Sequence, residues 1–123
     1  MKVRMEEFTA GGRDFLYLDM SGLRSPGDFL PIIEAAGPIV GKYGPASLHT
    51  ITDVKRSLID TAVKEALMAM MSRNKPHVRS GAILGADGIK KIMLNSMFTL
   101  CGRRDMVYVD TREQGVERLL GNG

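Results

Sequence analysis

The chain has 123 residues, of which 44% are apolar and 25% are charged, and its formal net charge is +3. This length fits a single domain spanning 1–123, and this composition excludes a wholly disordered chain and a collagen. The chain contains one cysteine, Cys101, which excludes a disulfide scaffold.

The first two strands are predicted from residue alternation and aromatic content. Polar and apolar residues alternate over 2–6, and residues 15–20 are rich in aromatic and branched side chains. Gly11 and Gly12 lie between them and are typical of a turn. We therefore expect an antiparallel hairpin at the start of the fold.

A first helix is predicted from Ser25, an N-cap residue, followed by Pro26, which loses no needed N–H at the first helical position. Apolar residues recur at helical spacing as far as Tyr43. Proline inside a helix removes a hydrogen bond, so we expect a kink or a break at Gly37 and Pro38.

The second helix follows a third strand predicted over 47–54. Ser57 and Asp60 have the spacing of a capping box, which predicts that Ser57 caps a helix running to Arg73. Met68 and Met71 fall outside the apolar stripe of that helix. Exposed methionines are unfavourable unless something covers them, so this helix or the next one is expected to form a homodimer interface.

The remaining elements alternate strand and helix to the end of the chain. They are a strand over 78–84, a helix over 89–100 capped by Asp87, a strand over 106–109 and a helix capped by Asp110 and Thr111. The order ββαβαβαβα predicts an α/β fold, because strands joined through helices form parallel pairs. We expect a mostly parallel sheet with one antiparallel edge strand.

Charge and residue spacing exclude several classes of function. Residues 54–104 carry ten basic and three acidic side chains, but no aromatic residues interleave with them, so a nucleic-acid partner is not expected. The two histidines and Cys101 lack metal-ligand spacing, so we expect no metal and no cofactor. Four acidic residues within the first twenty argue against a signal peptide, and no apolar run is long enough for a membrane span. A cytoplasmic protein is expected.

Acidic and hydroxyl side chains follow the predicted strands, at the sheet edge that receives ligands in open α/β folds. Asp87, Asp110 and Thr111 are interpreted as helix caps. Asp60 and Thr61 are interpreted differently, because Ser57 is expected to be the cap and would leave them free in the first turn. Asp53, Asp60 and Thr61 are therefore predicted to contribute to a binding site.

The ordered set of these segments resembles the SpoIIAA-like family of small bacterial proteins. The resemblance covers nearly the whole chain from Phe15 onward and is carried by 15–23, 48–54, 75–78, 88–92, 102–103 and 110–119. That family is grouped with the STAS domains and shares a fold with the lipid-binding CRAL-TRIO domains. The resemblance implies a sheet in which a helix follows each parallel strand.

The resemblance also implies a candidate phosphoacceptor. STAS proteins that act as anti-sigma antagonists carry a phosphorylatable serine in an Asp-Ser-Ser-Gly-Leu stretch at the start of the helix after the third strand. The corresponding stretch here is 59–63, which places Thr61 at the acceptor position. It departs from the pattern at Ile59, at Ala62 and in having threonine rather than serine.

Two functions follow as expectations. The first is a non-enzymatic regulatory or protein-interaction module that binds a protein partner or itself. The alternative is a carrier or sensor of a lipid-like ligand, because helix 89–100 is apolar on most sides and needs a loop, a second subunit or a hydrophobic molecule to cover it. In the alternative, Phe98 contacts the ligand and the cations Lys90, Lys91, Arg103 and Arg104 meet its anionic head group.

Overall fold

The predicted order of strands and helices is confirmed by the computed structural model, which describes residues 4–121. The elements are β1 (Met5–Ala10), β2 (Arg13–Asp19), α1 (Pro26–Val40), β3 (Leu48–Asp53), α2 (Thr61–Asn74), β4 (Val78–Leu84), α3 (Gly88–Leu100), β5 (Met106–Val109) and α4 (Arg112–Gly121). Of the first predicted strand, Lys2 and Val3 lie outside the described residues, and β1 extends past its predicted end at Glu6.

The strands form one five-stranded sheet in the order β1-β2-β3-β4-β5. β1 pairs with β2 in antiparallel orientation, and the other neighbours are parallel, as expected for a hairpin followed by helical crossovers. At the end of the parallel strands, Asp19 pairs with Asp53, Asp53 with Leu84 and Leu84 with Val109. The carboxyl ends of β2 to β5 therefore lie in register along one edge of the sheet.

The helices cover both faces of the sheet unequally. Helices α1, α2 and α3 pack on one face, where Leu16, Phe29, Leu67 and Met97 belong to the larger hydrophobic core. Helix α4 packs on the other face, where Leu119 joins a smaller core with residues of β2 to β5. The three crossover helices share a face, as right-handed βαβ connections require.

The start of α2 corrects the prediction that Ser57 is its cap. Asp60 is the N-cap, and its Oδ1 accepts a hydrogen bond from the backbone N–H of Val63 at 2.9 Å. The buried Ser57 hydroxyl instead donates to the carbonyl of Val54 at 2.7 Å, within the loop after β3. The helix starts three residues late because aspartate is as good a cap as serine, and the loop already satisfies Ser57.

Helix α1 continues through Gly37 and Pro38, so the predicted position is not a break. Proline at this position loses only its own N–H, and the helix ends two residues later, where the N–H of Gly41 bonds to the carbonyl of Gly37 at 3.0 Å. Tyr43, predicted to be helical, lies in the turn after α1.

The exposed apolar side chains are not the ones that the sequence predicts. Met71 is buried and Met68 is half-buried against the larger core, so α2 does not present two exposed methionines. The large apolar side chains most open to solvent are instead Ile89, Ile92 and Leu100 on α3. Within residues 4–121, no helix is long and apolar enough to cross a membrane.

Candidate functional site

The predicted site residue Asp53 has a structural role at the end of β3. Its Oδ1 accepts from the backbone N–H of Lys55 at 2.9 Å, and its Oδ2 accepts from the Tyr17 hydroxyl at 3.4 Å. Burial, with a smaller contribution from the nearby Asp53 and Asp19 carboxylates, raises the pKa of Tyr17 to about 12. Asp53 is itself buried, so it orders the β3–α2 loop and does not present a free carboxylate.

Asp60 and Thr61 lie together at the start of α2, as predicted, but their roles differ. The Asp60 carboxylate is engaged as the N-cap, whereas Thr61 is the first helical residue and is exposed. No hydrogen bond engages the Thr61 hydroxyl among the residues that the structure describes. The hydroxyl is therefore accessible to a modifying enzyme, which a buried and bonded threonine would not be.

The four cations expected to meet one head group do not lie together. Lys90 and Lys91 are in the first turn of α3, and Arg103 and Arg104 follow its last turn. A helix rises about 1.5 Å per residue, so the two pairs are about 15 Å apart along the helix. A shared head-group site for these four residues is therefore a wrong prediction, because the helix that links the pairs also separates them.

Lys90 is engaged with the backbone. Its ammonium group donates to the carbonyl of Val54 at 3.0 Å, which ties the start of α3 to the end of β3. Lys91 points elsewhere, and its Nζ lies 5.3 Å from the centroid of the Tyr108 ring. Lys91, but not Lys90, lines an open crevice beyond the ends of β4 and β5.

Phe98 and Arg103 line a small cavity in the larger core, beneath α2 and α3. Its volume is about 60 Å³, which is far below the 300–1,000 Å³ that is typical of ligand pockets. The Arg103 side chain is 5% exposed, and its Nε donates to Asp105 Oδ1 at 3.2 Å. Its NH2 group contacts the thioether of Met106, which is a weak acceptor.

One face of α3 is uncovered. Ile89 is 82% exposed, Ile92 is 73% exposed and Leu100 is 68% exposed. These positions, with Met93 and Ser96 between them, recur at the three- and four-residue spacing that brings side chains onto one helix face. Neither lysine of α3 belongs to this spacing, so the face carries no charge, and its exposed side chains are apolar except for Ser96. We call Ile89, Ile92 and Leu100 the α3 stripe.

A crevice opens where the chain changes faces. After β4 the chain enters α3 on one face of the sheet, and after β5 it enters α4 on the other face. Adjacent strands whose connections leave in opposite directions create a gap beyond their carboxyl ends, which is the usual ligand position in open α/β sheets. Here the gap has a volume of about 990 Å³ and is lined by the ends of β4 and β5 and by α3 and α4.

The crevice is lined by charged side chains of both signs. The cations are Lys55, Lys91 and Arg118, and the carboxylates are Asp110 and Glu117. No ion pair within residues 4–121 involves any of these five side chains.

The sequence predicts few of the residues that line the crevice. Of the predicted binding residues Lys91 alone lines it, and the sequence predicts that Asp110 is a helix cap. The structure assigns that cap to Thr111, whose Oγ1 accepts from the N–H of Gln114 at 3.1 Å, and Asp110 faces the crevice. The sequence offers no signal for the crevice, because it does not indicate which face of the sheet α4 covers.

The described residues contain no group of three or more His, Cys, Asp or Glu side chains placed to hold a metal ion. In comparisons with known proteins, no family model matches the sequence and no curated protein is significantly similar to it. The SpoIIAA-like resemblance therefore stays a prediction, and the α/β fold stands on the structure itself.

Proposed function

We propose that the protein is a non-enzymatic regulatory interaction module of the STAS or SpoIIAA-like type, and that it pairs with a second copy of itself through α3. The observation that carries the proposal is the apolar stripe of Ile89, Ile92 and Leu100, each more than two-thirds exposed. A contiguous apolar patch on a protein surface marks an interaction site more often than scattered single residues do.

The chemistry of the stripe favours a second copy as the occupant. A two-fold pair brings the same surface of each copy together, so a charged surface would repel itself. The α3 stripe avoids this, because Lys90 is bonded to the carbonyl of Val54 and Lys91 lies against the Tyr108 ring. Two copies can therefore meet through isoleucine and leucine side chains without opposing lysines.

The expected strength of the pair follows from the exposed side chains. Fully burying an isoleucine or leucine is worth about 1.5–3 kcal/mol, so six of them in a symmetric pair give on the order of 10 kcal/mol. Immobilising two molecules costs about 4–15 kcal/mol, which offsets most of this gain. We therefore expect a weak, reversible homodimer and not a permanent one.

Sedimentation equilibrium of the wild type and two variants tests this proposal. Ile92→Lys places two charges in the symmetric interface and should weaken association about a hundredfold or more. Leu30→Lys is the matched control, because Leu30 is an exposed leucine on a different helix, α1, which packs mainly against α2. A wild type that stays monomeric at high micromolar concentration contradicts the proposal, as does an equal effect of both variants.

The regulatory part of the proposal rests on Thr61. Its exposed hydroxyl at the first position of α2 can accept a phosphate, and the positive end of the helix dipole would stabilise the added charge. Incubation with a kinase-competent extract of the source cells, followed by peptide mass spectrometry, should locate the phosphate at Thr61. A Thr61→Ala variant that is labelled as strongly as the wild type removes this part of the proposal.

The lipid-like ligand is a second candidate, favoured by the buried guanidinium of Arg103 beside the cavity that Phe98 lines. The Nε of Arg103 already donates to Asp105, but an anionic head group would give its NH2 group a better acceptor than the Met106 thioether. The acyl chain needs α2 and α3 to move apart, because the cavity holds only about 60 Å³. Organic extraction of freshly purified protein should release a stoichiometric acyl species that Phe98→Ala loses. A clean extract argues against this candidate.

A further inference from the structure

We infer that the crevice between α3 and α4 binds a small phosphorylated polyol, a sugar phosphate being the simplest member of that class. The site is distinct from the α3 stripe and does not depend on self-association. It lies at the one place in this sheet where helices leave neighbouring strands toward opposite faces, at the carboxyl ends of β4 and β5. Its volume of about 990 Å³ is at the upper end of the range for small-molecule sites.

The cations of the crevice have N–H groups that are available to donate to a ligand. The side-chain nitrogens of Lys55 and Arg118 make no hydrogen bond and no ion pair within the described part of the chain. Lys91 has only its contact with the Tyr108 ring, which leaves all three ammonium protons able to bond. By contrast, Arg112 at the start of α4 bonds to Glu6 at 2.6 Å. Three cations without an ion-pair partner among the described residues, from the β3–α2 loop, α3 and α4, therefore line one open space, and a phosphate is a ligand that such cations bind well.

The two carboxylates of the crevice indicate which groups the ligand carries in addition to its phosphate. Asp110 and Glu117 line the same crevice, so a ligand made only of negative charge would meet two acids as well as three cations. Hydroxyl groups donate well to carboxylates, so a phosphate ester that bears several hydroxyls can satisfy both kinds of charge, whereas inorganic phosphate offers the acids few donors. Gln114 adds an amide whose Oε1 accepts from the N–H of Asp110 at 2.9 Å, which leaves its NH₂ group available as a donor.

A glycine at the end of β4 allows two segments that line the crevice to approach each other closely. Gly85, directly after β4, has φ of +84°, and a side chain there would overlap Cγ of Lys55. The absence of that side chain allows the loop carrying Lys55 to approach the end of β4. This close approach places the first cation at the mouth of the crevice, beside the strand end from which α3 begins.

Titrations followed by ¹H–¹⁵N correlation spectra test the inference, with ribose 5-phosphate, inorganic phosphate and ribose as probes. Ribose 5-phosphate should bind saturably and shift the amide signals of Gly85, Asp110 and Gln114. Inorganic phosphate should bind the same residues more weakly, and ribose should cause no saturable shift. The Ile92→Lys variant should give the same result, which separates this site from the proposed dimer.

Substitutions of single charged residues show which side chains contact the ligand. Lys91→Gln and Arg118→Gln should each weaken ribose 5-phosphate binding about tenfold, the usual effect of losing a charged hydrogen bond. Lys42→Gln is the matched control, because Lys42 pairs with Glu7 at the β1 edge of the sheet, away from β5. Asp110→Asn should weaken ribose 5-phosphate binding while strengthening binding of inorganic phosphate. The inference is overturned if ribose 5-phosphate causes no saturable shift at millimolar concentration, if the shifts centre elsewhere, or if Lys42→Gln has the same effect as Arg118→Gln.

Discussion

Lowering the pH should destabilise the protein through His49 of β3, which is buried beside Phe15 on the α4 side of the sheet. Its side chain is 1% exposed, its Nδ1 lies 2.6 Å from Ser80 Oγ, and its Nε2 has no hydrogen-bond partner among the described residues. Burial, together with the charges of Arg13 and Arg79, holds the pKa of His49 below its usual value of 6.5. The neutral ring is thus the form that the fold accommodates.

The size of the effect follows from proton linkage. Below pH 6.5 the unfolded chain takes up a proton at His49 and the folded chain does not, so the free energy of unfolding falls as the pH falls. The slope is about 1.4 kcal/mol per pH unit, and it ends where the folded-state pKa is reached. Above pH 6.5 both states are neutral at this residue, and no dependence on His49 remains.

Urea denaturation at a series of pH values measures this slope, and His49→Leu isolates it. The variant removes the titrating ring and its unpaired Nε2, so the difference between wild type and variant should change with pH only below pH 6.5. Carboxylates that titrate at lower pH are common to both proteins and cancel in the difference. An unchanged slope in His49→Leu, or an NMR titration that places the His49 pKa at or above 6.5, would refute the reasoning.

Three substitutions, each measured by urea denaturation, test the local structure at the start of α2 and directly after β4. Asp60→Ala removes the cap that accepts from Val63 and should cost about 1 kcal/mol; an unchanged midpoint would mean that α2 has another cap. Thr61→Glu adds a charge at the positive end of α2 and should stabilise the fold by about 0.3–1 kcal/mol, whereas a clear loss would count against a tolerated phosphate. Gly85→Ala combines a left-handed backbone with overlap on Lys55 and should cost about 2 kcal/mol or more; a neutral result would contradict the described turn.

The fold class could be predicted because it depends on periodicity and turn chemistry, which are local. Strands over 78–84 and 106–109 have the bounds that the pattern predicts, and the hairpin turns at Gly11 and Gly12, both with positive φ. The start of α2 could not be predicted, because Ser57 and Asp60 are both good caps. The choice between them depends on the carbonyl of Val54, which becomes a partner for Ser57 only when the loop has folded.

The functional surfaces were harder to predict, because they depend on which faces the helices bury. The prediction chose Met68 and Met71 of α2 as exposed, but both pack against the larger core. On α3, nearly every turn carries apolar residues, so the pattern does not distinguish buried Met97 from exposed Ile92. That distinction depends on which side of α3 packs against the larger core, which is a property of the assembled fold.

The proposed contact between two α3 helices is tested most directly by an isotope-filtered nuclear Overhauser experiment on a sample that mixes methyl-labelled and unlabelled chains. Such a spectrum records only contacts between copies. We expect cross-peaks from the methyl groups of Ile89, Ile92 and Leu100 to the same residues of the second copy, with none from Leu30. Cross-peaks confined to another surface, or their absence at concentrations where sedimentation detects a dimer, would contradict pairing through α3.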